Sequence, residues 1–302
     1  MFSEAPNFKA WFPEIEGFPR PDWKAIAKWI PENVSADHLV DAWPAVVREW
    51  LQRICDRLGR SYSITESQNF HLLSELDEAK QNDLLTFLER ARARMLRQLG
   101  DLPLPVLNGK HVILRFTEDD DYYRYISYFD SEGEYAGSGG RFLGGGYMHI
   151  AYPHADRLDV DRGTLVHELS HNLLASFPLP LWLDEAFAMA FSADFAGSRD
   201  PIVTRELAEE HRAYWNPQTI QEFWRGRSFS EVEGQKLAYS LAGIILNLIV
   251  TELRPPPAQF RDFILHANHK DAGQSAALEY LEIDLSDLVA TFLGPGEWAP
   301  KV

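Results

Sequence analysis

Leu165-Val166-His167-Glu168-Leu169-Ser170-His171-Asn172-Leu173-Leu174 is the stretch on which the reading of this chain turns. It carries an H-E-x-x-H pattern inside an otherwise apolar run that reads as helix. Residues four apart lie one above the other on a helix face, so the imidazoles of His167 and His171 can reach one ion at about 2.0–2.1 Å from their nitrogens. Glu168, one step from His167, cannot share that face fully, and can instead contact a water on the metal. The bland alternative is an exposed helix with two unrelated histidines. Leu165, Val166, Leu169, Leu173 and Leu174 argue against it, because they make the helix largely buried, and buried polar side chains must be hydrogen-bonded or bound to something. Two histidines leave a tetrahedral zinc short of a protein ligand. Downstream, Pro180-Leu181-Trp182-Leu183-Asp184-Glu185-Ala186-Phe187-Ala188-Met189-Ala190-Phe191 reads as a second apolar helix with two acids near its start. Acids are also favoured in a first turn by the helix dipole alone, and Asp184 suits that role.

His-Glu-Leu-Ser-His followed by Pro-Leu-Trp-Leu-Asp-Glu-Ala-Phe-Ala resembles the peptidase MA-like gluzincins, zinc metallopeptidases whose second motif usually reads W-L-x-E-G-x-A. The resemblance implies that His167, His171 and Glu185 are the metal ligands, that Glu168 is the catalytic base, and that one Zn2+ is bound per chain. Ala186 departs from the usual glycine by one methyl. Leu237-Ala238-Tyr239-Ser240-Leu241-Ala242 is similar to the family's A-Y-x-x-S helix, which implies Tyr239 as the group stabilising the oxyanion. A core tyrosine with a satisfied hydroxyl would look the same in sequence. The implied fold is α+β and zincin-like in two lobes, an α/β upper lobe with a small mixed sheet and the H-E-x-x-H helix, and a helical lower lobe. The implied organisation is a Trp-rich helical extension over 1–60, the α/β lobe over 61–180, and the helical lobe over 181–302. The implied substrate is a peptide or protein. In this family the strand before the metal helix commonly pairs with extended substrate, which points to an exposed edge on Tyr147–Tyr152. Gluzincin aminopeptidases usually carry G-x-M-E-N there, whereas Gly146-Tyr147-Met148-His149-Ile150 has no acid, which favours an endopeptidase. His149 and His154 are candidates to line a cleft, and equally ordinary strand and turn histidines.

Composition narrows the alternatives. The 302 residues are 45% apolar with nine Trp and eighteen Phe, enough to bury a large core. A net charge of -16, from 29 Lys and Arg against 45 acids, argues against a nucleic-acid partner. Arg90, Arg92, Arg94 and Arg97 form the one basic concentration, spaced for the wet side of a helix. Cys55 is the sole cysteine and falls in an apolar helical pattern, so an inert buried thiol is expected. Met1–Pro6 lacks the basic and apolar segments of a signal peptide, and Leu237–Val250 is too short to cross a bilayer. A cytoplasmic protein without membrane partners is the default expectation. Two other readings share the motif: an inactive metallopeptidase-like scaffold serving as a protein-binding module, and a helical interaction protein without metal that docks through its Trp-rich start. Retention of all four residues His167, Glu168, His171 and Glu185 weighs against the first, since decay usually removes the base or a ligand.

Patterning supplies the rest. Helices are expected near Pro21–Trp29 and Pro44–Leu58, with proline in the first turn of each. Tyr62, Ile64 and Phe70–Leu73 read as extended chain, Asn82–Leu99 as helix, His111–Phe116 as strand, and Tyr122–Tyr128 as a short helix. A glycine-rich link (Gly137, Gly139, Gly140, Gly144, Gly145, Gly146) leads to a strand stopped by Pro153. Almost everything after that reads as helix, broken at Pro255-Pro256-Pro257.

Overall fold

A computed structural model describes residues 8–100, 102, 109–129, 139–154, 158–197, 203–231 and 233–301; Met1–Pro6 and Gly137 lie outside the described residues. The chain divides into two compact units, residues 1–94 with 105–172, and residues 95–104 with 173–302.

The first unit opens with α1 (Phe8–Trp11), the short hairpin β1 (Glu14–Ile15) and β2 (Phe18–Pro19), α2 (Trp23–Asn33) and α3 (Leu39–Leu58). Asp22 caps α2 by accepting from the Ala25 amide at 2.9 Å. Pro31 lies inside α2, and Pro44 is the sixth residue of α3 rather than part of its first turn. A five-stranded mixed sheet follows: β3 (Ser63–Glu66), β4 (Phe70–Ser74), β5 (His111–Phe116), β6 (Arg141–Leu143) and β7 (His149–Pro153), in the order β3-β4-β5-β7-β6. The inner pairs β4/β5 and β5/β7 are parallel, and the outer pairs β3/β4 and β6/β7 are antiparallel. Helices α4 (Glu78–Leu99) and α5 (Asp119–Ser127) make the two parallel crossovers, and α6 (Leu158–Leu174) follows β7.

Side chains alternate across a strand, so register assigns each face. Leu73, Val112, Leu114, Phe116 and Ala151 share one face and form a continuous core with Ile26 and Ile30 of α2, Val46, Val47, Trp50 and Ile54 of α3, and Tyr122 and Ile126 of α5. Residues 8–58 thus cover one side of the sheet. On the opposite face, His111 bonds to Arg92 of α4 and Asn172 of α6, which places both helices there. The result is a three-layer arrangement. Gly146 (φ +89°) lies in the link between β6 and β7, where a Cβ would come within 2.0 Å of Trp23 Cδ1, so only glycine lets the link pass under that ring.

The second unit contains α7 (Leu181–Phe195), α8 (Arg205–Tyr214), α9 (Thr219–Trp224), α10 (Gln235–Asn247), α11 (Pro257–His266), α12 (Gln274–Leu281) and α13 (Leu285–Leu293). Trp182 and Leu183 of α7 and Leu241 and Ile245 of α10 are fully buried, and these two helices pack together. Beyond α10 the chain continues as a π-helical turn, Leu248–Leu253, ending at Arg254 with φ +48°. The continuous helix Gln235–Leu253 is therefore 19 residues, long and apolar enough by composition to cross a membrane. The expectation that this segment is too short to span does not hold for the 19-residue helix; 44% of its apolar window is buried, including Leu237, Leu241, Ile245 and Ile249.

The molecule is α+β, with a small mixed sheet and a majority of helix. The expected exposed edge on the strand before the metal helix is not there. β7 is hydrogen-bonded on both sides, to β5 and to β6, and among the described residues the edge belongs to β6. A three-residue strand flanked by glycines has no period to read, so the link concealed it.

Candidate metal centre

Helix α6 presents His167 and His171 one turn apart, both half-buried, with ring centroids 4.9 Å apart and ring planes at 77°. Leu165, Val166 and Leu169 beside them are fully buried, so apolar packing fixes the rotation of α6 about its axis. Behind the histidines, the ring of His111 locks the helix to β5. Arg92 Nε–H donates to His111 Nε2 at 3.1 Å, which leaves His111 Nδ1–H to donate to Asn172 Oδ1 at 2.7 Å. This ring is a neutral single tautomer. Burial, with Arg92 adding to it, pushes its pKa down to about 4.

Helix α7 begins after Pro180, whose carbonyl accepts from the Leu183 and Asp184 amides at 2.9 and 3.2 Å. Trp182 Nε1–H donates to the Ala272 carbonyl at 2.9 Å in the interior and sets the rotation of this helix. Asp184 falls in the first turn, whereas Glu185 is buried. Ala186, which departs from the family pattern, is fully buried within the helix, so its extra methyl is accommodated.

One ligand atom each from His167, His171 and Glu185 lies within 4.8 Å of the others. Asp184 is not in this group. Donor atoms of a tetrahedral zinc bonded at about 2.1 Å are roughly 3.4 Å apart, inside the 4.8 Å that bounds this set. Two imidazole nitrogens and a carboxylate oxygen are the donor set of catalytic zinc sites, which keep a fourth position for water or substrate. The residues present fit that metal.

Glu168 is 9% exposed. Its Oε2 accepts from the Phe142 amide at 2.5 Å. Neither Phe142 nor β6 was visible as a functional element from sequence. Tyr239 on α10 is half-buried with its ring edge-on to Phe229, centroids 5.2 Å apart.

The other histidines do other work. His149 is fully buried: its Nδ1–H donates to the Tyr147 carbonyl and its Nε2 accepts from the Tyr125 hydroxyl, each at 2.8 Å, with its pKa pushed down to about 4 by burial. It is a core histidine and lines no cleft. His154 pairs with the buried Arg115, which also pairs with Glu75. His211 meets Ser240 Oγ at 2.9 Å, a pairing that an activated serine nucleophile would also show. Trp215 Nε1–H donates to His211 Nδ1, however, so Nε2 carries the proton and donates to the serine. That tautomer cannot act as base towards Ser240.

Cys55, expected as a buried inert thiol, is half-buried; it donates to the Tyr62 carbonyl at 3.3 Å, and burial raises its pKa. Of the four arginines on α4, Arg90 and Arg97 are exposed, while Arg92 turns inward to His111. A concavity of about 540 Å³ in the second unit is lined by Phe187, Phe191, Phe260, Leu246 and Val250, with Gln98 and Arg261 as its polar members. It contains no His, Cys, Asp or Glu and offers no acid–base chemistry. No family model matches the chain, and neither the curated proteins nor the solved structures yield a significant match.

Proposed function

We propose that this protein is a zinc-dependent metallopeptidase with a zincin-like two-lobe fold, in which His167, His171 and Glu185 hold one Zn2+ and Glu168 is the general base. The observation that carries the reading is the approach of those three ligand atoms to within 4.8 Å, on helices whose sequences predict it. A zinc held there supplies Lewis acidity, polarising a carbonyl and lowering the pKa of water towards about 7.

The chain's own residues do the remainder. Glu168 removes a proton from water as its oxygen bonds to the scissile carbon. It then returns the proton to the amine nitrogen as the C–N bond breaks. Positioned proton transfer of this kind is worth roughly 10²–10⁴ in rate. The Tyr239 hydroxyl donates to the carbonyl oxygen as negative charge develops on it. The segment Gly146–Ile150 has no carboxylate to bind a substrate's amino terminus, which supports an endopeptidase over an aminopeptidase. The charge of -16 supports peptide over nucleic acid as the substrate.

The test is peptide-library cleavage by zinc-loaded protein, with zinc content measured alongside. His167→Ala and Glu185→Ala are expected to lose zinc from near one equivalent per chain. Glu168→Gln is expected to keep zinc and lose turnover by roughly 10²-fold or more. Zinc content that is the same in the ligand variants and the wild type overturns the metal assignment. Wild-type protein that binds zinc and cleaves nothing points instead to a protein-binding module on an inactive scaffold.

A further inference from the structure

We propose that residues 140–142 form a backbone notch that positions the Glu168 carboxylate, with the Phe142 N–H holding Oε2 and Gly140 allowing the main chain close enough to do so. The catalytic consequence rests on the metallopeptidase reading, whereas the notch itself does not.

The geometry is specific. Phe142 pairs with Ile150 across the β6/β7 ladder, yet its N–H goes to Glu168, so in this register it faces outward from the sheet. The contact is short, with N···Oε2 at 2.5 Å against the usual 2.7–3.2 Å of an N–H···O bond. A Cβ at Gly140 would lie 2.5 Å from Thr164 Cγ2, 3.3 Å from Tyr152 Cβ and 3.6 Å from Glu168 Cγ. Thr164 and Glu168 are four apart on α6, so the strand crosses the stripe of the helix that carries the base. Any side chain at residue 140 would lift the strand off that stripe and lengthen the bond.

A glutamate on a helix has three side-chain torsions, and proton transfer needs one of its oxygens within about 2.6–3.2 Å of water. Holding Oε2 on the sheet edge removes most of that freedom. It also means that β6 cannot offer the Phe142 N–H to an extended substrate while Glu168 is in place. Phe142 and Gly140 are positioning residues that act through Glu168.

Phe142→Pro tests the bond selectively. An edge strand tolerates proline where the N–H faces away from the ladder, so the substitution deletes this donor and no ladder bond. Phe142→Ala removes the ring and keeps the donor. With zinc-loaded protein, Phe142→Pro is expected to have a kcat up to about 10²-fold below that of Phe142→Ala, with KM and zinc content unchanged. Zinc-free protein labelled with 15N-phenylalanine gives a readout without activity. One amide proton far downfield should vanish in Phe142→Ala and move upfield in Glu168→Gln. A Phe142→Pro enzyme with the kcat of Phe142→Ala overturns the proposal, as does a Phe142 amide indifferent to Glu168→Gln. A responsive amide in a protein that cleaves no peptide supports the notch and overturns the peptidase reading alone.

Discussion

Ten histidines are present in this chain, and what separates a ligand from a core histidine is the partner at each ring nitrogen. In His111 both nitrogens are occupied, one accepting from Arg92 and one donating to Asn172, and nothing is left for a metal. Asn172→Ala removes the acceptor and strands an N–H on a ring that is 2% exposed. Such a loss costs about 1–3 kcal/mol, so the urea midpoint should fall accordingly at unchanged slope. Zinc content near wild type is expected in the same variant, because neither proposed ligand ring is touched. A midpoint equal to wild type would mean that His111 finds another acceptor. The H-E-x-x-H spacing singles out His167, Glu168 and His171 in the sequence because one helical turn is a fixed length, which stacks the two rings 4.9 Å apart. Asn172 stood in the same stretch without announcing a role, since its partner is about 60 residues away on another strand and no local period connects them. Phe142 was invisible for a different reason: its function resides in a backbone N–H, which every residue but proline has.

Elements with a strong apolar period were readable, and those held by long-range pairing were not. The strand His111–Phe116 has the bounds read from its short apolar run, with every residue buried. Helix α4 begins at Glu78, four residues before its apolar pattern, because Asp77 accepts from the Lys80 amide at 2.9 Å and starts the turn. α3 extends back to Leu39, past a proline that sequence reasoning places in a first turn. β6 exists because β7 pairs with it, over just three residues. Two glycines separate steric need from incidental presence. Gly163 lies within α6 with open space where a Cβ would go, so Gly163→Ala should stabilise by about 0.4–1 kcal/mol. Gly146→Ala would force both a positive φ and a collision with Trp23, and should destabilise by about 2 kcal/mol or more. Urea unfolding of the two variants checks both signs, and a stabilised Gly146→Ala would show that the link moves freely from under the indole.

For the whole molecule, the buried histidines set an acid limit on stability. His71, His111, His149 and His211 are each 2% exposed or less, and burial is the largest cause that pushes each pKa down to about 4. In the unfolded chain each titrates near 6.5. Between those values the unfolded state binds protons that the folded state refuses, so stability is full above about pH 6.5 and is lost as pH falls towards 4. Each such histidine contributes a slope approaching 1.36 kcal/mol per pH unit in that window. Four together can remove a stability of the order of 5–15 kcal/mol before pH 4 is reached. The Glu66 carboxylate, held down to about 2 chiefly by its hydrogen bond from Arg48, loses its contribution only below about pH 4.5 and cannot account for the earlier part of the decline. Tryptophan fluorescence, with nine indoles as reporters, should therefore show cooperative unfolding centred between pH 6.5 and 4 in metal-free protein. Unfolding confined to pH below 4 would mean that these rings accept protons inside the fold, against the hydrogen-bond pattern that leaves His111 and His149 one tautomer each.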